Sequence, residues 1–332
     1  MTLLAPILQS FFTDRLSRQR QASPNTISAY RDTFRLLLQY ATTRTGKAAS
    51  TLQLNDIDAT CVAGFLDHLE QERGNTARTR NARLAAIRSM FAYAALRCPE
   101  SAEVIQRALA IPSVRLQRNL VTYLDNEETA AFLTACDKTS RTGRRDHAMF
   151  TLAIQTGLRV SELTSLTLTD LHLGPGPNIH CLGKGRKERR TPLVPDTVAV
   201  LTRWLHEQPD HDPGRFLFTT STGRRLSPDA VQQRVTLTAA RASQSCMPLR
   251  DKHVTVHTLR HTAAMRLLHA GVDITVIALW LGHEHITTTN AYLHADMTHK
   301  QEAIARAETL GQATTMERYQ PTDALLRFLD NL

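Results

Sequence analysis

His257-Thr258-Leu259-Arg260-His261 heads an amphipathic segment that runs to about residue 270, and Leu281-Gly282-His283-Glu284-His285 closes the apolar run that follows. Both runs read as α-helices, over 258–270 and 274–281. His257 and Arg260, three residues apart, fall on one helical face, and Tyr292 follows His283 by nine residues. Upstream lies Thr156-Gly157-Leu158-Arg159-Val160-Ser161-Glu162-Leu163, where Gly157 ends one helix and Arg159 opens the next with Glu162 three positions on. Between these helical pieces, residues 178–194 hold short β-like runs on either side of Gly183-Lys184-Gly185-Arg186-Lys187-Glu188-Arg189-Arg190. They predict a small hairpin or three-stranded sheet. Leu124-Asp125-Asn126-Glu127-Glu128 reads as a helix start with acidic residues in its first turn. Further helices are expected near 127–136, 144–155, 197–207, 228–243 and 299–309. The fold class is therefore mainly α with a small β-sheet.

The first hundred residues read as helices alone. Ser23-Pro24 caps and starts one through about residue 40, with Ile27, Tyr30, Phe34, Leu37 and Leu38 at helical spacing. A second covers 59–71 with Val62, Phe65, Leu66 and Leu69 on one face, ending before Gly74. A third, about 76–97, turns Leu84, Ile87, Phe91 and Ala94 inward and is expected to carry Arg78, Arg80, Arg83 and Arg88 largely outward. Such a basic face suits DNA phosphates. Ile111 to Leu120, IPSVRLQRNL, shows no clear period and reads as a linker.

At 332 residues the chain has room for about two domains of roughly 150 residues. Hydrophobic residues at 42% and charged residues at 21% are globular values, which excludes a disordered or fibrous protein. Forty Lys and Arg face 31 Asp and Glu, a formal charge of +9, which points to a polyanionic partner, nucleic acid before membrane. The excess is uneven: residues 1–120 carry 16 basic and 9 acidic side chains and a single histidine, His68, while the other 13 histidines follow. A binding part followed by a working part is the natural reading. No apolar run approaches the ~18–20 residues of a membrane span, residues 1–10 make a poor signal peptide, and the five cysteines are odd in number and scattered. A cytoplasmic location is expected.

Each chemical cluster has a dull reading when taken alone. Arg159 could be a surface ion pair and the 183–190 turn a solvated hairpin. It is no P-loop, since the GxxxxGK[ST] spacing is missing. His257 and His261 have the spacing of two zinc ligands, but the Glu of HExxH is absent. Nor is there an acidic cluster for a two-metal nuclease. Together, two arginines, a lysine, two histidines and a tyrosine are what metal-free phosphodiester chemistry requires. Arginine forks hold phosphate oxygens, a lysine or histidine protonates a leaving alkoxide, and a tyrosine hydroxyl attacks to form a covalent intermediate.

The order T-G-L-R-V-S-E-L, G-K-G-R-K-E-R, H-T-L-R-H, L-G-H and then Tyr resembles the tyrosine recombinase (phage integrase) family, especially its Xer-like and transposon-borne branches. The stretch GVDITVIALWLGHEHITTTNAYLH carries the likeness almost continuously. The resemblance implies a helical, SAM-like core DNA-binding domain over 1–110, a linker over 111–122, a catalytic domain over 123–310, and a tail over 311–332 that contacts a neighbouring protomer. It implies that Arg159 and Arg260 clamp the phosphate and that Lys184 protonates the 5′-oxygen. His257 and His283 then hydrogen-bond the phosphate, Tyr292 is the nucleophile and Glu162 a supporting contact. Arg186 and Lys187 join Arg78, Arg80, Arg83 and Arg88 as expected DNA contacts. No cofactor or metal is expected. The implied partner is a double-stranded recombination site, held by a homotetramer on two sites or by a hetero-assembly with a related recombinase. The competing readings are a non-catalytic DNA-binding regulator, a type IB topoisomerase-like relaxing enzyme and, last, a metal-dependent nuclease. The lack of an extra arm-binding domain ahead of the first helices disfavours lambda-like integrases with two DNA-binding specificities, while the extension after Tyr292 and the arginine-rich composition favour an integrase or transposase of a mobile element.

Overall fold

The computed structural model describes residues 2–116, 121–183, 188–208, 212–283, 289–290 and 292–293. The chain divides into two compact units, 1–118 and 119–332.

The first unit is helical among its described residues. Helix α1 (Leu4–Ser10) continues into a π-helical stretch, Phe11–Gln19, and is followed by α2 (Pro24–Thr45), α3 (Ala59–Gln71), α4 (Ala77–Ala95) and α5 (Ala102–Leu109). Side chains cap three of them: the Ser23 hydroxyl accepts the Thr26 N–H, Asp58 that of Cys61 and Thr76 that of Thr79. In the π-helical stretch Phe11 and Leu16, five residues apart, both are buried, because i→i+5 hydrogen bonding widens the turn and brings residues five apart nearer to one face than an α-helix would. Phe11 sits at the centre of that core, ringed by Tyr30, Phe34 and Tyr93. The first helix and α5 were not expected, although Leu4, Ile7, Leu8 and Phe11 have helical spacing and are all buried.

Two expectations for this unit change. Arg80, expected outward, is only 8% exposed and its guanidinium turns back to Glu70 and Asp67 of α3, 3.4 and 3.8 Å away. Arg88 donates to the Ile111 carbonyl and to Ser113. Asn81 completes the contact, donating to the Val114 carbonyl at 2.7 Å and accepting the Val114 N–H at 3.0 Å. The start of the expected linker is thus fastened along α4 through its backbone polar groups. Arg78 is exposed, and Arg83 is half-buried, with burial and Arg73 lowering its pKa against Asp32.

The second unit holds α6 (Asn126–Thr134), α7 (Arg141–Thr156), α8 (Val160–Ser165), strands β1 (Leu171–His172), β2 (Asn178–Leu182) and β3 (Glu188–Pro192), and then α9 (Pro195–His206), α10 (Pro228–Ala242), α11 (Val256–His269) and α12 (Ile274–Leu281). The sheet is antiparallel in the order β1-β2-β3, with Ile179 opposite Thr191 and Cys181 opposite Arg189. Side chains alternate across a strand: Ile179, Cys181 and Thr191 face the core, while Glu188 and Arg190 face out. Arg189 therefore shares the inward face. The core centres on Trp204, Phe132, Phe150 and Phe218, with the Trp204 indole donating to the Leu217 carbonyl at 2.9 Å. The expected helix at 299–309 and the tail at 311–332 lie outside the described residues.

Candidate active site

The site forms where α7, α8, α11, α12 and β3 meet. Helix α7 ends at Gly157, whose φ of +65° is the left-handed conformation that glycine adopts at a helix end. A Cβ there would lie 2.4 Å from Leu281 Cδ2, so both backbone and space demand glycine. The chain turns at once into α8, with Arg159 as its N-cap and Glu162 at the third helical position. Glu162 accepts the Arg159 backbone N–H and the Arg159 Nη1–H, both at 2.8 Å. The three-residue spacing read from the sequence thus becomes a capping contact that also orients the first arginine.

Arg159 Nη2 donates to the Gly282 carbonyl at 2.8 Å. Arg260, one turn into α11 and only 3% exposed, donates through Nη1 to the Gly157 carbonyl and through Nη2 to the Leu281 carbonyl at 2.7 Å. The two guanidinium groups therefore grip successive carbonyls of the turn that ends α12, and His283 follows immediately. Each keeps further N–H groups beyond these bonds, since a guanidinium has five. Gly282, with φ +64°, leaves room for Arg189: a Cβ would lie 2.7 Å from Arg189 Nη1.

Arg189 was passed over in the sequence as one basic residue among several in the hairpin. It forms a fork onto Glu162, Nη1 at 3.1 Å and Nη2 at 2.7 Å. The period-two alternation of β3, which puts it on the face of Thr191, was the signal for it. Burial alone would raise the Glu162 pKa, but the bonds from Arg189 and Arg159 more than offset this and lower it. Glu162 is therefore a carboxylate shared by two cations.

His257 stands at the second position of α11, open to solvent on one side, and its ring centre is 5.2 Å from that of His261. His261 Nδ1 lies 3.0 Å from the Tyr292 hydroxyl. His283 stacks on the Tyr292 ring, centroids 6.3 Å apart and planes 9° from parallel, and its Nδ1 is 2.7 Å from the Thr289 hydroxyl. Tyr292 is 2% exposed and packs among Met265, Leu268, Ile277 and Leu281 of its own chain. His261 and Thr289 were also missed, His261 because its four-residue distance from His257 was weighed only as a zinc spacing.

Burial and a cluster of positive charge govern the titration. Burial, then His257 and Arg260, pushes His261 down to about 4. Burial, then Arg260 and Arg159, pushes His283 down to about 4 and lowers His257. Arg260 falls to about 10 through burial and the nearby Arg159, so it remains charged at neutral pH. Burial raises the Tyr292 phenol, with Arg260 opposing. The arrangement is a set of neutral imidazoles and a neutral phenol beside fixed guanidinium charges, a local field that favours an anion. A cleft of about 450 Å³ opens beside it, lined by Arg159, Ser161, Asp229, Gln232, Thr255 and His257.

The structure thus gathers Arg159, Glu162, His257, Arg260, His283 and Tyr292. Lys184, Arg186 and Lys187 lie outside the described residues, and Arg78, Arg80, Arg83 and Arg88 belong to the first unit. Among the described residues no group of His, Cys, Asp and Glu is placed to hold a metal ion, and no helix is long and apolar enough to cross a membrane.

Residues 122–299 match the phage integrase family, and residues 10–97 match the phage integrase N-terminal SAM-like domain. The chain is 50% identical over 329 residues to a Sinorhizobium fredii protein named as an integrase/recombinase, y4rC, covering 99% of this chain and 98% of that protein. It is 32% identical over 283 residues to the tyrosine recombinase XerD of Listeria monocytogenes, covering 83% and 90%. Among solved structures it is similar to the XerH site-specific recombinase bound to palindromic difH substrate in a post-cleavage complex, with a TM-score of 0.69 and 25% identity, covering 87% of this chain and 82% of that one. The two-unit, mostly helical architecture with its small sheet is the tyrosine recombinase fold, and the chain belongs to the phage integrase family of tyrosine recombinases.

Proposed function

We propose that the chain is a site-specific DNA recombinase that breaks and rejoins strands through a 3′-phosphotyrosyl bond at Tyr292. One observation carries this reading: two arginines anchored by the same turn, with fork N–H groups to spare, stand beside neutral histidines and a tyrosine in one cluster. The scissile phosphate sits on Arg159 and Arg260, whose charge offsets what builds on its oxygens in the transition state. His257 and His283, held neutral, hydrogen-bond those oxygens. Tyr292 Oη forms a bond to phosphorus as the bond to the 5′-oxygen breaks, and Lys184 supplies that oxygen's proton. The phosphotyrosyl ester conserves the bond energy, so a 5′-hydroxyl from a partner strand reverses the step without ATP.

Strand exchange between two duplexes calls for four protomers on two sites, either four copies of this chain or a mixture with a related recombinase. The enzyme acts on double-stranded DNA in the cytoplasm, and integration or transposition of a mobile element is the setting proposed. The test is a nicked DNA duplex bearing an end of the element that encodes the protein, incubated with the protein in EDTA and run on a denaturing gel. A covalent adduct that Tyr292→Phe abolishes is the expected result. Tight binding without an adduct would return the regulator reading.

A further inference from the structure

We propose that His261 is a further catalytic residue of this chain, the base that takes the phenolic proton of Tyr292 as the tyrosine attacks. The proposal rests on the reading of Tyr292 as the nucleophile. Three observations carry it. Among the described residues the hydrogen-bond partner of the Tyr292 hydroxyl is His261 Nδ1, at 3.0 Å, inside the reach of direct proton transfer. The other two histidines are differently engaged: His283 meets the tyrosine by its ring face and turns Nδ1 to the Thr289 hydroxyl, and His257 meets the ring of His261. His261 is also rigidly placed on α11, one residue after the phosphate-clamping Arg260, so that clamp and base share one helix.

The groups facing His261 are Tyr292, His257, Arg260 and His283. Burial first, then His257 and the Arg260 guanidinium, keep its imidazole neutral, as an acceptor must be. A phosphate anion seated on Arg159 and Arg260 cancels part of that field, so His261 becomes more basic when substrate is bound. The step balances: Tyr292 Oη bonds to phosphorus, the phosphorus–O5′ bond breaks, the phenolic proton passes to His261 Nδ1, and O5′ receives the Lys184 proton. In rejoining, the attacking 5′-hydroxyl returns its proton to Lys184 and His261 returns its own to the departing tyrosine.

The experiment is single-turnover adduct formation on the nicked duplex between pH 6 and 9. It uses the full-length protein, His261→Asn, which keeps an acceptor oxygen but takes no proton, and His261→Phe, which keeps the ring. DNA affinity and melting temperature are measured alongside. Loss of a general base costs about 10²–10⁴-fold, so both variants should slow by at least 100-fold at pH 7 with unchanged DNA affinity. Their rates should rise about tenfold per pH unit, since phenolate must then form unaided, while the wild type stays flat and the gap closes. A gap that is constant with pH, an Asn variant at the wild-type rate, or variants faster than wild type would overturn the proposal. The last outcome would make His261 a restraint on the resting tyrosine. If neither variant folds, the wild-type profile decides: a tenfold rise per pH unit overturns the proposal. A wild type that gives no Tyr292-dependent adduct refutes the functional reading instead.

Discussion

Replacing Arg189 by methionine keeps the side-chain stem and deletes the fork that joins β3 to Glu162. Glu162 is buried, 3% exposed in its side chain, and receives four N–H groups, two from Arg159 and two from Arg189. Breaking a buried ion pair from one side costs about 3–5 kcal/mol. Arg159 still serves the carboxylate, so the lower end applies, about 3 kcal/mol. For a unit of this size about 2–4 °C is lost per kcal/mol, so the melting temperature of the second unit should drop by about 6–12 °C in calorimetry. A double-mutant cycle with Glu162→Gln should show coupling of about 1–3 kcal/mol, because the second change removes what the first had already broken. Acid sensitivity should also move. Glu162 is held below its ordinary 4.5 in the folded chain, so its contribution is present above that pH and fades as the pH falls. Without Arg189 the Glu162 carboxyl is held down less, so this contribution is smaller and is fully lost at a higher pH. A melting shift under 2 °C, or strict additivity in the cycle, would refute the shared-carboxylate account.

Three further outcomes are expected. His261 and His283, both pushed down to about 4, are neutral when folded and charge near 6.5 when unfolded, so stability from them is complete above about pH 6.5 and lost as the pH falls toward 4. Urea midpoints at pH 7, 5.5 and 4.5 should decline in that order, and a flat series counts against the buried-imidazole description. Gly157→Ala combines a left-handed backbone with a Cβ 2.4 Å from Leu281. It should cost about 2–5 kcal/mol, whereas Gly46→Ala, equally left-handed but with nothing within 4 Å, should cost about 1–2 kcal/mol by urea denaturation. Equal losses would show that packing at Gly157 is irrelevant. Finally, Arg78→Ala should lower the salt slope of DNA binding by about 1, while Arg80→Ala should leave the slope unchanged and lower stability, read from binding titrations in increasing salt and from thermal melts.

What the chain announces before folding is whatever its neighbours along the sequence decide. Apolar residues three and four apart mark α3, α4 and α12, Ser23-Pro24 marks the start of α2, and the Asp125 cap with Glu128 marks α6, because capping bonds close within about one turn. The conjunction of Arg159, His257, Arg260, His283 and Tyr292 was legible for a related reason: their types and order are written in the chain. Even in the first unit, local reading had the means to find α1, whose apolar spacing was weighed only as a leader.

Tertiary structure alone decided the rest. Arg159 reaches a carbonyl 123 residues away, Arg260 one 103 residues away, and Arg189 a carboxylate 27 residues away. No periodicity carries information over such distances. Arg80 looked like an outward cation because helical spacing says which residues share a face but not which face lies against acids from another helix. His261 was one histidine of a pair until packing of Tyr292 against α11 brought the hydroxyl to its Nδ1. Local physics chooses the elements and supplies the chemical groups; burial in a shared core chooses which groups meet, and those meetings set their charge states.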